Sequence, residues 1–313
     1  MTEQDTVAFG HATTAAQALQ GVDLTGRLAV VTGGYSGLGL AATRALTAAG
    51  AHVVVPARRP EAAAEALGAI PGAEVDRLNL GDLDSVAAFA SRLIATGRGV
   101  DIVIGNAGIM ACPETRVGPG WEAHFATNHL GHYALVNHLA PALTDTARVV
   151  AVASSGHFLS DIRWEDPHFT AGYDGWLAYG QSKTANALFA LHLDGLLPAR
   201  SHAYAVHPGS ILTPLQRHVP REAQTELGWI TPDGALPPGF KTPEQGAATA
   251  VWAATNPGLD GHGGAYCQDC GPARPAEDDD MLTGGFKPWV RDRTAAARLW
   301  ELSAEQTGID AFA

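Results

Sequence analysis

The chain has 313 residues, enough for one large domain or two ordinary ones with a substantial buried core. A formal net charge of −12 argues against nucleic acid and anionic membrane as partners, and three cysteines give no disulfide framework, so a reducing compartment is expected. The N-terminal MTEQDTVAFGHATTAAQ lacks the basic region and apolar core of a signal peptide, and no apolar run is long enough to span a bilayer, so a cytoplasmic protein is expected.

Residues 1–24 read as a lead helix and turn, with TTAAQALQGVDL at their end. From there, short apolar runs alternate with alanine-rich amphipathic stretches. The runs are LAVVT (28–32), HVVVPA (52–57), EVDRL (74–78), DIVIGN (101–106), RVVAVAS (148–154) and HAYAVHP (202–208). Helices are predicted near 37–49, 60–68, 82–97, 118–142, 175–197 and 243–255. Several runs are continuously apolar, as parallel strands buried on both faces require. The alternation predicts an α/β fold: one doubly wound domain over residues 25–272, with a mostly parallel central sheet and helices on both faces. The Pro/Gly-rich stretch 208–241 is too long for an ordinary connection and reads as a lid over a site. Residues 273–313 form a C-terminal tail. Within it, RDRTAAARLWELSAEQ (291–306) predicts a helix whose Leu299, Trp300 and Leu302 dock on the body or on a second subunit.

Immediately after the first apolar run comes GGYSGLGLAATRAL, with glycines at 33, 37 and 39 between a strand and a helix. Glycine permits the tight turn and lets backbone approach a pyrophosphate resting on the positive end of the helix. In that context the turn reads as Rossmann-like and dinucleotide-binding. An NAD site usually offers a carboxylate at the tip of the second strand, about 20 residues on, for the ribose hydroxyls. Here Ala57, Arg58 and Arg59 stand at that place. With no carboxylate to repel a 2′-phosphate and a guanidinium to grip it, NADP (NADPH) is favoured, with NAD as second choice.

Lys183, Lys241 and Lys287 are the only lysines, and Lys183 stands four places after Tyr179 in AYGQSK, an offset no other tyrosine has. On a helix that spacing puts phenol and ammonium on one face. With the glycine turn and GNAG (105–108), this pair makes the chain resemble the short-chain dehydrogenase/reductase family from about Gly26 to Cys270. TNHLGHY (127–133), SSGH (154–157), YGQSK with ANALF after it, and HPG (207–209) resemble the branch of retinol dehydrogenases, protochlorophyllide reductases and WW-domain oxidoreductases. The resemblance implies Asn128, Ser155, Tyr179 and Lys183 as a catalytic tetrad. It implies cofactor contacts from Gly33, Ser36, Gly37, Leu38, Arg58, Asn79, Leu80, Asn106, Ala107, Gly108, Tyr179, Lys183, Pro208, Gly209, Ile211 and Thr213. It also implies a small-molecule alcohol or carbonyl substrate and, as in many members, a homodimer or homotetramer. Three features depart from the family pattern. The 24 residues from Ser155 to Tyr179 exceed the usual spacing, Asn79 replaces a common Asp, and the membrane anchor of many retinol dehydrogenases is missing.

The residue types suit hydride chemistry. Moving hydride to a carbonyl creates negative charge on oxygen, which a phenol can protonate. An ammonium and an oxidised nicotinamide both favour the phenolate and ease the reverse step. The resemblance gives Ser155 the substrate oxygen and Asn128 a relay water. Phe158, Trp176, Leu212, Trp229 and Phe240 lie where they could cover a pocket and point to an apolar substrate. The leading expectation is therefore an NADP(H)-dependent oxidoreductase interconverting a secondary alcohol and a ketone or aldehyde. The rivals are reduction of a carbon–carbon double bond and a non-catalytic NADP(H)-sensing protein. The CxxC of Cys267 and Cys270 has no second pair and reads as structural. The histidines at 124, 129, 132 and 138 read as helix packing or polar contacts, with no metal expected, and EDDD (277–280) as a solvated turn.

Overall fold

A computed structural model describes residues 9–313; residues 1–8 of the lead segment lie outside it. Helix α1 (Ala15–Ala18) precedes β1 (Leu28–Val31), α2 (Gly37–Ala48), β2 (His52–Ala57), α3 (Pro60–Leu67), β3 (Ala73–Arg77), α4 (Leu83–Ala95) and β4 (Val100–Gly105). A small hairpin of β5 (Arg116–Val117) and β6 (Trp121–Glu122) comes next, then α5 (Gly131–Leu139), β7 (Leu143–Val152), α6 (Gly175–Asp194) and β8 (His202–His207). The remainder comprises α7 (Arg221–Glu226), α8 (Pro243–Gly246), α9 (Ala248–Thr255), β9 (Tyr266–Gln268), β10 (Gly271–Pro272) and α10 (Arg293–Thr307).

Eight strands form one sheet in the order β10-β9-β8-β7-β4-β1-β2-β3, parallel except for the terminal β9–β10 hairpin. The central strands β1, β2 and β4 are mainly apolar because both faces are covered, whereas the edge strand β3 (AEVDR) is only half-buried. On β1, Ala29 and Val31 face a core built with α1, α2 and α9, while Leu28 and Val30 face one built with α4, α5 and α6. The strand order reverses between β1 and β4, and the crevice at such a switch point is where open α/β sheets take ligands.

Two local outcomes bear on the site. The predicted helix over 118–142 is instead three structures: the β5–β6 hairpin, a π-helical turn at Phe125–Leu130, and α5. Gly118 and Gly120 adopt positive φ of 54° and 107° between the two short strands, which turns the chain back before any helix starts. Helix α6 opens at Asp174, whose carboxylate accepts the amides of Trp176 and Leu177. It is buried along most of its length, because the sheet, the serine turn at 155–159 and α10 all pack on it. Among the described residues, no helix is long and apolar enough to cross a membrane.

Candidate active site

The first turn forms one wall of a cleft of about 780 Å³ at the strand C-termini. From that turn Gly33, Ser36, Gly37 and Leu38 line the cleft; Arg58 joins them from the end of β2, and Asn79 and Leu80 from the end of β3. Asn106, Ala107 and Gly108 close it beyond β4, with Thr213 opposite. A Cβ on Gly39 would stand 2.2 Å from the Gly33 carbonyl oxygen, so only glycine lets the turn close onto the helix. Ser36 is the N-cap of α2 but makes no side-chain cap hydrogen bond, so the positive end of a 12-residue helix opens into the cleft. Those features fit the pyrophosphate of a dinucleotide. Arg58 and Arg59 are exposed at the far end, with no carboxylate among the cleft's lining residues.

Tyr179 and Lys183 lie one turn apart on α6, 5% and 4% exposed, with the Lys183 Nζ 5.6 Å from the centre of the tyrosine ring. The ammonium donates to the Val152 carbonyl oxygen at 2.9 Å at the end of β7. Burial pushes Lys183 down to about 8 and pushes the Tyr179 phenol up to about 12, the latter opposed by the neighbouring Ser154 hydroxyl. Ser154 also accepts the Gly156 amide, and Ser155 is anchored by its own amide, which donates to His207 Nδ1 at 3.1 Å. The tyrosine ring reaches this turn because residue 156 is glycine: a Cβ there would lie 2.6 Å from Tyr179 Cε1.

Asn128 is fully buried in the π-helical turn, and its side chain is a staple. Its Oδ1 accepts the Ile109 amide at 2.9 Å, while its Nδ2 donates to the Ile109 carbonyl at 3.0 Å and to Ser182 Oγ at 2.9 Å. The loop after β4 is thereby fixed to the helix carrying Tyr179. A second strap runs through His132, whose Nδ1 donates to the Asn128 carbonyl at 2.9 Å and whose Nε2 meets Thr32 Oγ1 at 2.8 Å. Thr32 Oγ1 in turn accepts the amides of Asn106 and Ala107, both at 2.9 Å. Burial pushes His132 down to about 4, so it serves as a neutral strap between the glycine turn and the catalytic helices.

Beside the cleft lies a cavity of about 660 Å³, which Tyr179, Lys183, Ser154 and Ser155 line together with Pro208, Gly209 and Ile211. Its far wall is apolar, with Met110, Trp176, Leu215, Trp229, Phe240 and Met281. Trp176, Trp229 and Phe240 thus stand where the sequence predicts them. Phe158 and Leu212 are not lining residues, and the Phe158 ring instead carries the Lys287 ammonium 4.6 Å from its centre. The 208–241 segment contributes Leu215, Leu227, Trp229 and Phe240, and the EDDD turn that reads as merely solvated brings Asp279 and Asp280 to the lining.

The family model for short chain dehydrogenases matches residues 27–224. The chain belongs to the short-chain dehydrogenase family. A probable oxidoreductase of Streptomyces lividans is 46% identical over 296 residues, covering 91% of this chain and 98% of the relative. Retinol dehydrogenase 12 of Mus musculus is 34% identical, covering 92% of this chain and 88% of that one. Among solved structures, a Pseudomonas aeruginosa RhlG/NADP active-site complex superposes with a TM-score of 0.62 at 25% identity, covering 83% of this chain and 98% of the other. As a short-chain dehydrogenase, the protein is an NAD(P)-dependent oxidoreductase.

For this short-chain dehydrogenase the structure brings every residue of the expected tetrad and cofactor set to the two adjoining cavities or their framework. Ser154 and Ser155 both line the cavity with Tyr179, and the Ser154 hydroxyl counters the effect of burial on the phenol. Thr32 and His132 are site residues that the sequence does not announce. The available signal was the spacing of four between Asn128 and His132, which puts an imidazole under the asparagine carbonyl. No three His, Cys, Asp or Glu among the described residues converge to hold a metal ion.

Proposed function

We propose that the protein is an NADP(H)-dependent oxidoreductase that interconverts a secondary alcohol and a ketone or aldehyde of apolar character. The observation carrying this reading is the position of Tyr179 and Lys183 between a dinucleotide-shaped cleft and an apolar cavity. The glycine turn and the open end of α2 would hold the pyrophosphate, and Arg58 the 2′-phosphate. The bound cofactor supplies or accepts the hydride.

The protein's own groups handle the oxygen and the proton. A carbonyl oxygen accepts hydrogen bonds from Ser154 Oγ and Tyr179 Oη, which aligns the carbonyl carbon with the cleft. Burial keeps the phenol protonated, ready to donate as charge develops on the substrate oxygen. Lys183 stabilises the phenolate that remains and, with the cofactor bound, would hold the nicotinamide ribose. Asn128 keeps loop 106–110 and α6 in register, and would support a water that relays protons. Met110, Trp176, Trp229 and Phe240 exclude water and favour an apolar substrate, so turnover restricted to small hydrophilic carbonyls would sink that part of the reading.

The test is a side-by-side titration with NADPH and NADH followed by nicotinamide fluorescence, repeated on two variants. NADPH should bind tighter than NADH, and Arg58→Ala should weaken NADPH about 10- to 100-fold while leaving NADH unchanged, the worth of a hydrogen-bonded charge. Tyr179→Phe should bind NADPH as the parent does yet lose on the order of 10²–10⁴ in carbonyl turnover. Equal turnover by that variant would remove the proton-transfer assignment.

A further inference from the structure

A second cluster of titratable groups stands beside the cofactor cleft, and the carbonyl reaction uses none of it. Glu122 and His124 are completely buried, and Cys112 is 7% exposed. Glu122 Oε1 is 2.7 Å from His124 Nδ1 and accepts the His124 amide, while Oε2 accepts the Phe125 amide at 2.7 Å. The carboxylate is thus fixed, and it turns Nδ1–H toward itself and Nε2 toward Cys112, whose amide donates to Nε2 at 3.4 Å and whose sulfur lies 3.5 Å from it. Burial alone would push His124 down. Hydrogen bonds with Cys112 and Glu122, and the charge of Glu122, outweigh it and raise the imidazole to about 9. Cys112 lines the cofactor cleft next to Ile109, and the His124 ring lies edge-on to Tyr179 at 6.3 Å between centres.

A thiol held against a basic imidazole that is itself oriented by a carboxylate is the arrangement of an activated sulfur nucleophile. We propose that Cys112 is a modification site for soft electrophiles, chiefly α,β-unsaturated carbonyl compounds, and that their addition blocks the cofactor cleft. The choice of carbonyl compounds rests on the reading of the adjoining cavity as a carbonyl site. In the addition, a sulfur lone pair forms the C–S bond to the β-carbon, and the C=C π pair moves to the carbonyl oxygen as an enolate. The thiol proton, which the neighbouring imidazole helps to remove, is delivered to the α-carbon. The sum is S–H added across C=C, with no oxidant and no leaving group.

The other two cysteines are internal controls. Cys267 and Cys270 sit in β9 and its hairpin, and burial pushes their thiols up to about 12 and about 11. N-ethylmaleimide on the folded protein, read by peptide mass spectrometry, should place one equivalent on Cys112. That labelling should run at least on the order of tenfold faster than at the other two, and saturating NADPH should slow it. Glu122→Gln should slow labelling of Cys112 by about the same factor while leaving Cys267 and Cys270 as protected as before, which also shows that the variant folds. Labelled parent protein should lose NADPH binding, whereas Cys112→Ser should bind NADPH equally before and after treatment. Labelling shared evenly among the three cysteines, or absent from Cys112 in the folded state, overturns the proposal. Selective labelling needs no turnover, so it stands apart from the carbonyl-reductase reading, which fails on its own if NADPH does not bind.

Discussion

Ser154 and Ser155 are adjacent, and both line the cavity that Tyr179 enters. The family pattern in the sequence points to Ser155, and Ser154 brings a rival hydroxyl to the same turn. Ser154 is extended, with a φ of −171°; its hydroxyl accepts the Gly156 amide and eases loss of the Tyr179 proton. Ser155 is secured by its backbone to His207, which burial pushes down to about 3 and so leaves a neutral acceptor. Ser154→Ala is therefore expected to lower kcat on the order of 10²-fold, the usual loss for one donor to a developing oxyanion, while Ser155→Ala loses far less. Steady-state kinetics on the two variants decide it, and the opposite ranking would return the role to Ser155. A sequence shows which residue types are available at a turn; it does not show which of two neighbours the backbone aims at a phenol. Tyr179 and Lys183 were legible because helical spacing alone fixes their common face.

Among the elements, the central parallel strands were the most legible, since burial on both faces leaves a nearly continuous apolar run in β1, β2 and β4. The stretch after β4 was the least. Its alanines, histidines and leucines continue a helical pattern through 118–142, yet two glycines first fold a hairpin, and a π-helical turn then sets the direction of α5. A π turn leaves no periodic mark in composition, because it changes which carbonyl each amide meets and not which residues are apolar. Helix α10 was visible as a helix, and the structure supplies its docking partner. Trp300 stacks on Phe189 of α6 at 5.9 Å between centres and 3° between planes, and meets Tyr133 of α5 edge-on at 4.8 Å. Its Nε1 donates to Asp310, and the Tyr133 hydroxyl donates to the Ile309 carbonyl, so the chain's last turn is tied to the same place. Removing the indole should cost about 3–5 kcal/mol. Urea unfolding of Trp300→Ala, compared at matched slope, measures this; a loss below about 1 kcal/mol would mean that α10 contributes little to the body.

At the scale of the whole molecule, a domain of this kind has only about 5–15 kcal/mol of net stability, so a single uncompensated group is felt everywhere. Lys183 is such a group. Its ammonium is 4% exposed and has one hydrogen-bond acceptor, the Val152 carbonyl, which it shares with the Asn186 amide. Because burial lowers its folded-state value from 10.5 to about 8, the unfolded chain binds more protons between those limits, and stability rises with pH across that window. Below about 8 the folded molecule bears the full penalty, on the order of 3 kcal/mol. Lys183→Met should therefore raise the melting temperature at pH 7 while abolishing turnover, and the gap from the parent should shrink as pH rises from 8 toward 10.5. An unchanged or lower melting temperature at pH 7 would mean that water or other groups already compensate the charge. The lysine that makes the tyrosine useful is thus a standing debt against the fold, and selection for thermal endurance alone would discard it first.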